Sequence, residues 1–154
     1  MMDKLGIEPG EYVVTIYVNG ENLASILEKI EYPLIFAESM KNNENNRKFS
    51  EQYAESVAGD YFGLPNGEVF FPSKRFLGEK AGKDGRTTLL ICHCGNEGCA
   101  DFKAKITVNK ETVEWSNFLG GNPDWKYDKL GSNGKFVFDR KRYESELAKK
   151  TSNL

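Results

Sequence analysis

Two runs of β-branched and apolar residues flank a short turn in TTLLICHCGNEGCADFKAKITV, residues 87–108. Runs of this kind are typical of strands, and the two glycines that bound 95–98 are typical of a four-residue hairpin loop. The segment therefore predicts an antiparallel hairpin made of strands 87–94 and 99–108.

Three cysteines and one aspartate share one face of this predicted hairpin. The four-residue loop places Cys94 opposite Cys99 and Cys92 opposite Asp101, and side chains alternate between the two faces of a strand. His93 falls on the other face with the apolar residues, so that face is predicted to be the core and the cysteine face to be solvated. The predicted solvated face also carries Thr88, Lys103, Lys105 and Thr107, with Leu90 as the one apolar exception.

Cys92, Cys94, Cys99 and Asp101 are therefore candidate ligands of zinc. Thiolate sulfur is a preferred zinc ligand, whereas a cysteine that serves only as a small apolar residue is usually found in the core. The same thiols leave two alternatives open, a redox disulfide between Cys94 and Cys99 and chemically inert cysteines. An inward His93, the only histidine, is badly placed to serve a catalytic triad.

Composition limits the class of protein. The chain has 154 residues, and 21 Lys and Arg against 23 Asp and Glu give a net charge of -2, so we expect one domain over 1–154 that does not bind nucleic acid. We find no run of about 20 apolar residues and no signal peptide, which predicts a cytoplasmic protein that does not act at a membrane.

The N-terminal half is predicted to contain a strand, a turn and a helix. Strand 12–18 is rich in β-branched and aromatic residues and ends at an Asn-Gly turn, and apolar residues then recur with helical spacing over 21–31. Pro33 is expected to prevent the helix from continuing. The polar run that follows predicts a mobile loop over 40–49.

The whole pattern predicts an α+β fold, a mainly antiparallel sheet with two to three helices packed on one face. The final helix is expected to be capped by Asp139 and to turn Tyr143 and Leu147 inward. The other predicted elements are a helix over 50–58, a minor strand at 69–71, strands 112–118 and 135–138, a final helix over 139–150, and frayed ends 1–9 and 150–154.

Tryptophan residues have two different predicted roles. A hairpin through 109–112 pairs Trp115 with Ile106 and Val113 with Val108, which favours a core position for Trp115. Trp125 and Tyr127 lie in a loop rich in Gly, Asn and Asp, where they either form a partner surface or fold back over the core.

Five blocks of sequence carry a resemblance. They are IYVNG at 16–20, AGDYFGL at 58–64, CHCGNEGC at 92–99, VEWSNF at 113–118 and FVFDRKRY at 136–143. This order of blocks resembles a family of small uncharacterised bacterial proteins, with the C-x-C-G-x-x-G-C and F-x-F-D-R-x-x-Y blocks as its most specific motifs. The resemblance implies a bacterial cytosolic source and a site at the cysteine block.

The leading functional hypothesis is a non-enzymatic protein-interaction module whose cysteine hairpin binds zinc. The main alternative is a thiol-disulfide redox protein that uses Cys94 and Cys99. A second alternative, an immunity-type inhibitor of a toxin, agrees with the size and acidity of the chain.

Overall fold

The computed structural model describes residues 2–92 and 100–149 and shows an α+β fold that is mainly antiparallel sheet. Its strands are β1 (Leu5–Glu8), β2 (Thr15–Val18), β3 (Glu21–Asn22), β4 (Tyr61–Gly63), β5 (Thr87–Cys92), β6 (Phe102–Val108), β7 (Thr112–Leu119) and β8 (Phe136–Asp139). Its helices are α1 (Leu23–Asn42), α2 (Arg47–Val57), α3 (Asn66–Val69) and α4 (Arg140–Leu147), with a 3-10 turn at Arg75–Leu77.

The strands form a three-stranded sheet in the order β1-β2-β3 and a five-stranded sheet in the order β4-β5-β6-β7-β8. All neighbouring strands are antiparallel, which confirms the predicted fold class. The predicted register of the β6–β7 hairpin is also confirmed, since Ile106 pairs with Trp115 and Val108 pairs with Val113.

Trp115 lies at the centre of the core, as predicted. Its ring is fully buried and makes edge-to-face contacts with Phe138 at 4.9 Å and Phe76 at 6.0 Å between ring centroids. The predicted cap of the last helix is confirmed, because the Asp139 carboxylate accepts a hydrogen bond from the Arg142 amide at 3.0 Å. Tyr143 and Leu147 are buried as predicted.

The predicted end of the first helix at 31, before Pro33, is wrong. Helix α1 continues through Pro33 to Asn42 because its buried stripe continues on the far side of the proline. The second half packs against α2, and the Ser39 and Ser50 hydroxyl groups are hydrogen-bonded at 2.8 Å between the helices. Pro33 is exposed, so the missing amide donor is tolerated where tertiary packing holds the helix. The buried stripe is Leu23, Leu27, Glu31, Ile35 and Ser39.

The predicted loop over 40–49 is too wide. Helix α1 ends at Asn42 and α2 begins at Arg47, so only 43–46 lies between them. The polar run supplies the cap of α2, because the Asn46 side chain accepts a hydrogen bond from the Phe49 amide at 3.0 Å. Helix α2 therefore starts three residues before the predicted start at Ser50.

Two other elements differ from the sequence predictions. The N-terminal stretch predicted to be frayed contains β1, whose Ile7 is completely buried and pairs with Ile16. The prediction of a strand at 69–71 is wrong, because Val69 is the last residue of helix α3 and Phe70 is its C-cap. Both errors follow from short elements that owe their form to packing against distant parts of the chain. Residues 150–154 lie outside the described residues.

No helix within the described residues combines the length and the apolar character needed to cross a membrane.

Candidate functional site

Two of the predicted zinc ligands lie side by side. Cys92 is the last residue of β5, Asp101 comes directly before β6, and the Cys92 amide donates a hydrogen bond to Asp101 Oδ1 at 3.1 Å. Cys94, Cys99 and His93 lie outside the described residues. The structure therefore brings Cys92 and Asp101 together at the base of the hairpin.

The prediction that this face is solvated is wrong at Asp101 and along β5, whereas on β6 Lys105 is exposed and Lys103 and Thr107 are half-buried. Only 8% of Cys92 and 2% of Asp101 are exposed, and Thr88 and Leu90 are also buried. The register of β5 against β6 also differs from the prediction, because Leu90 pairs with Phe102 rather than Lys103, and it shifts again between Leu90 and Thr88. The prediction fails because both faces of β5 are covered, since Thr87 and Leu89 are buried as well as Thr88, Leu90 and Cys92.

Cys92 nevertheless lies next to a surface hollow. The hollow has a volume of about 220 Å³ and is lined by Cys92, Asp60, Tyr61 and Val57, with Ala100, Gly121 and Trp125 completing the wall. Strand β4 brings Tyr61 opposite Cys92 in the sheet. The hairpin base is thus part of a concave surface and not of the deep core.

A second and larger cleft adjoins this hollow. It has a volume of about 300 Å³ and runs between α1 and α2, where Ile35 and Ser39 face Phe49 and Tyr53. Val57 and Trp125 line both the cleft and the hollow. The two concavities are therefore neighbours that share one wall. The remaining lining residues of the cleft are Glu38, Asn42, Asn43 and Asn122.

Aromatic side chains are unusually exposed along the α2 wall of the cleft. Phe49, Tyr53 and Val57 are four residues apart and form one stripe on the helix. The Phe49 and Tyr53 rings stack with an interplanar angle of 11°, and 46% and 48% of these residues are exposed. An exposed, ordered aromatic stripe beside a cleft is typical of a binding surface.

Trp125 connects the cleft to the rest of the molecule. Its ring packs against both hydrophobic clusters, the main core and the smaller cluster of Ile35, Ala54 and Ala58 between α1 and α2. Within the described part of the chain, its buried indole Nε1 has no hydrogen-bond partner. The two aromatic residues of this loop have different positions. Tyr127 folds back over the core and is buried, whereas Trp125 lines the cleft.

The loop that carries Trp125 is held by a buried carboxylate. Glu31 Oε2 accepts hydrogen bonds from the Tyr61 hydroxyl at 2.6 Å and the Tyr127 hydroxyl at 2.7 Å. Glu31 Oε1 accepts a third from the Gly59 amide at 2.9 Å. These three bonds join α1 to the chain that leads into β4 and to the loop between β7 and β8.

Burial dominates the electrostatics of this cluster. Burial raises the pKa of Glu31 above its ordinary value of 4.5, although the hydrogen bonds from Tyr61, Gly59 and Tyr127 act in the opposite direction. Burial also raises the pKa of Tyr61 and of Tyr127, and the nearby Glu31 charge raises both further. Both hydroxyl groups therefore keep their protons and act as donors to Glu31.

Sequence reasoning missed Glu31, although one signal could have found it. The residue falls on the apolar stripe of α1, four residues after Leu27 and four before Ile35. A carboxylate in an otherwise buried helical stripe must have donors, because an unpaired buried charge is very unfavourable. That position alone could have predicted a buried polar cluster, but not its partners.

Within 2–92 and 100–149, no group of three or more His, Cys, Asp and Glu side chains is arranged to hold a metal ion. Comparison of the chain with models of protein families, with curated proteins and with solved structures finds no match. The resemblance stated from the sequence blocks stays a prediction.

Proposed function

We propose that this chain is a non-enzymatic protein-interaction module that binds a partner in the cleft between α1 and α2. In this proposal the cysteine hairpin beside the cleft binds zinc. The observation that carries it is the shared wall of Val57 and Trp125, which joins the aromatic cleft to the hollow containing Cys92.

The character of the cleft supports binding of a protein partner. Aromatic side chains are enriched at protein interfaces because a rigid ring buries a large area at a small cost in conformational entropy. Phe49 and Tyr53 are half exposed and already ordered by stacking on each other. A partner that covers them would bury apolar surface that now faces water.

The state of Glu31 supports a binding role over catalysis. Its carboxylate has the perturbed pKa that often marks a catalytic acid or base. However, Glu31 is completely buried and its two oxygens accept three hydrogen bonds from within the chain. These contacts give it a structural task, which is to position the loop of Trp125.

The zinc part of the proposal uses Cys92, Cys94, Cys99 and Asp101 as ligands. Sulfur and carboxylate oxygen are both common zinc ligands, and a bound metal fixes the segments that supply them. Because Cys92 lines the hollow that shares Trp125 with the cleft, zinc at the hairpin would stiffen one side of the binding surface.

Metal analysis tests the zinc part. The full chain, purified anaerobically without a histidine tag, is expected to contain about one zinc per chain, and Cys94→Ser and Cys99→Ser are expected to lose it. Ser56→Ala, a change on the exposed face of α2, is the control and should keep the metal. An anaerobic wild type without stoichiometric metal overturns this part. A mass lower by about two daltons after mild oxidation, restored by reductant, would favour the redox alternative.

Photo-crosslinking tests the binding part. A benzophenone amino acid replaces Tyr53 in the cleft or, as control, Tyr12, which is 76% exposed and is not among the residues that line the cleft. In extract of the native host, we expect a discrete crosslinked product from position 53 that is absent from position 12 and is lost on Trp125→Ala. The same products from both positions, or none from position 53, would contradict a partner site in the cleft.

A further inference from the structure

We infer that the cleft recognises an arginine side chain of the partner protein. This inference rests on the proposed function and specifies the chemistry that the cleft selects. It combines three observations, which are the aromatic walls, one acidic side chain in the lining, and a volume large enough to admit a long side chain.

The aromatic walls provide faces on which a cation can stack. Phe49, Tyr53 and Trp125 all line the cleft. The negative face of an aromatic ring attracts a cation within about 6 Å of its centroid, and a planar guanidinium also stacks on the ring. The chain makes such a contact elsewhere on the same pair of helices, where Arg47 lies 5.0 Å from the centroid of the Phe36 ring.

Glu38 supplies the complementary charge. It is exposed and, among the described residues that line the cleft, it is the only charged one. Some other acidic residues on the surface are paired with a cation of the chain, as Glu51 is with Arg47 and Glu144 with Arg140. Within 2–92 and 100–149, Glu38 has no such ion pair. An incoming cation would therefore find a carboxylate that no described residue neutralises.

The rim also offers neutral acceptors, which favours arginine over lysine. Guanidinium has five N–H donors in a fixed plane and can bond a carboxylate and an amide oxygen together. The Asn43 amide lines the cleft, and its nitrogen is held by a hydrogen bond to the Ser39 carbonyl oxygen at 3.1 Å. Because this bond uses the amide nitrogen, the side-chain oxygen of Asn43 remains an acceptor in the lining that also contains Glu38.

The size of the cleft points to one side chain. A volume of about 300 Å³ is at the lower end of the range for small-molecule pockets. An amphipathic helix needs a long groove with several anchor positions, whereas a cleft of this volume admits one long side chain. The partner is thus expected to present an arginine from a loop or an extended segment.

Fluorine NMR of the full chain tests the inference. The protein is labelled with 5-fluorotryptophan, which gives separate signals for Trp115 and Trp125, assigned with Trp125→Phe. The probes are the peptides acetyl-Gly-Gly-Arg-Gly-Gly-amide, its citrulline analogue and its lysine analogue. Citrulline keeps the length and planarity of arginine but removes the charge.

The arginine peptide is expected to shift the Trp125 signal and leave that of Trp115, which is fully buried, unchanged. The citrulline peptide should bind about tenfold more weakly. Glu38→Gln should weaken binding of the arginine peptide about two- to fivefold, and the matched change Glu55→Gln, an exposed residue of α2 outside the cleft, should leave it unchanged. Tyr53→Leu, which keeps an apolar side chain but removes the ring, should weaken it as well.

Each contrary result has a separate meaning. Equal binding of the arginine and citrulline peptides overturns recognition of a cation, and equal binding of arginine and lysine overturns the preference for guanidinium. If no peptide shifts Trp125 while the crosslink from position 53 persists, the arginine inference fails and the proposed function stands. Loss of the crosslink as well would mean that the proposed function itself is wrong.

Discussion

At the scale of single residues, Glu31 determines how the candidate site is assembled. Its carboxylate joins three parts of the chain, and its partners Tyr61 and Tyr127 lie 30 and 96 residues away in sequence. An ionised carboxylate suits three donors but is disfavoured by burial, and the raised pKa of Glu31 indicates that burial is the stronger effect.

Replacing Glu31 by Gln should change how stability depends on pH. Because the folded-state pKa is raised above 4.5, the contribution of Glu31 to stability is complete below pH 4.5 and is lost as the pH rises through the raised value. We expect Glu31→Gln to lower the free energy of unfolding by about 1–3 kcal/mol at pH 4.5, since the amide cannot satisfy every donor. This difference should shrink toward pH 8 in urea denaturation curves.

The control for this prediction is Glu28→Gln, which removes an exposed carboxylate from the same helix. Its effect on the free energy of unfolding should stay within about 0.5 kcal/mol at every pH. If the loss of unfolding free energy caused by Glu31→Gln instead grows with pH, the three donors outweigh burial and the pKa of Glu31 is lowered.

Gly120 is a second residue on which the cluster depends. A Cβ atom at this position would lie 1.7 Å from the Tyr127 hydroxyl oxygen and 3.1 Å from that of Tyr61. Gly120→Ala is therefore expected to displace Tyr127 and to lower the free energy of unfolding by about 1–3 kcal/mol. Gly82→Ala is the matched control, because the nearest atom to its Cβ would be 3.5 Å away. Equal melting temperatures for the two variants would contradict the packing described for Gly120.

At the scale of elements, α1 shows where local sequence rules fail. The apolar spacing over 21–31 predicts its first half, and the Asn22 side chain caps its start by accepting a hydrogen bond from the Ala24 amide at 2.9 Å. Pro33 is an unfavourable residue inside a helix. The helix continues because Ile35 and Ser39 pack against α2. This contact between two helices cannot be predicted from the local sequence around Pro33.

Pro33→Ala should accordingly stabilise the protein. Alanine restores an amide donor to the middle of α1 and is the best helix former, so we expect the free energy of unfolding to rise by about 1–3 kcal/mol. Pro65→Ala is the control, since Pro65 precedes the short α3 and does not interrupt a helix. If denaturation curves show that Pro33→Ala lowers the free energy of unfolding, the proline must instead help to direct the second half of α1 onto α2.

In the strands too, features set by neighbouring residues were predictable and features set by distant parts of the chain were not. The β6–β7 pairing was predictable next to its turn, where alternation is local, but not beyond Lys105, where the register shifts toward Lys103. In the β5–β6 pair, both faces of β5 are covered, so Cys92 and Asp101 are buried and do not lie on a solvated face as predicted. The sequence predicted that Cys92 and Asp101 lie together, as the structure shows, but nothing local in the sequence showed that the second face of β5 is covered.

At the scale of the whole molecule, the buried side chain of Trp115 joins the sheet to the last helix. The Trp115 position follows from strand alternation, but its polar partner does not. Trp115 Nε1 donates a hydrogen bond to the Tyr143 hydroxyl at 3.0 Å, and that hydroxyl donates to the Phe76 carbonyl oxygen. One buried hydroxyl thus joins β7, α4 and the 3-10 turn.

Tyr143→Phe should therefore destabilise the whole fold. The change leaves the Trp115 indole N–H and the Phe76 carbonyl without this partner, so we expect the free energy of unfolding to fall by about 2–4 kcal/mol. Tyr32→Phe removes a hydroxyl from a half-buried tyrosine of α1 and should have little effect. Because the bond joins distant elements, fluorescence of Trp115 and far-ultraviolet circular dichroism should lose signal at the same lower denaturant concentration. Separate transitions for the two signals would show that α4 and the sheet unfold independently.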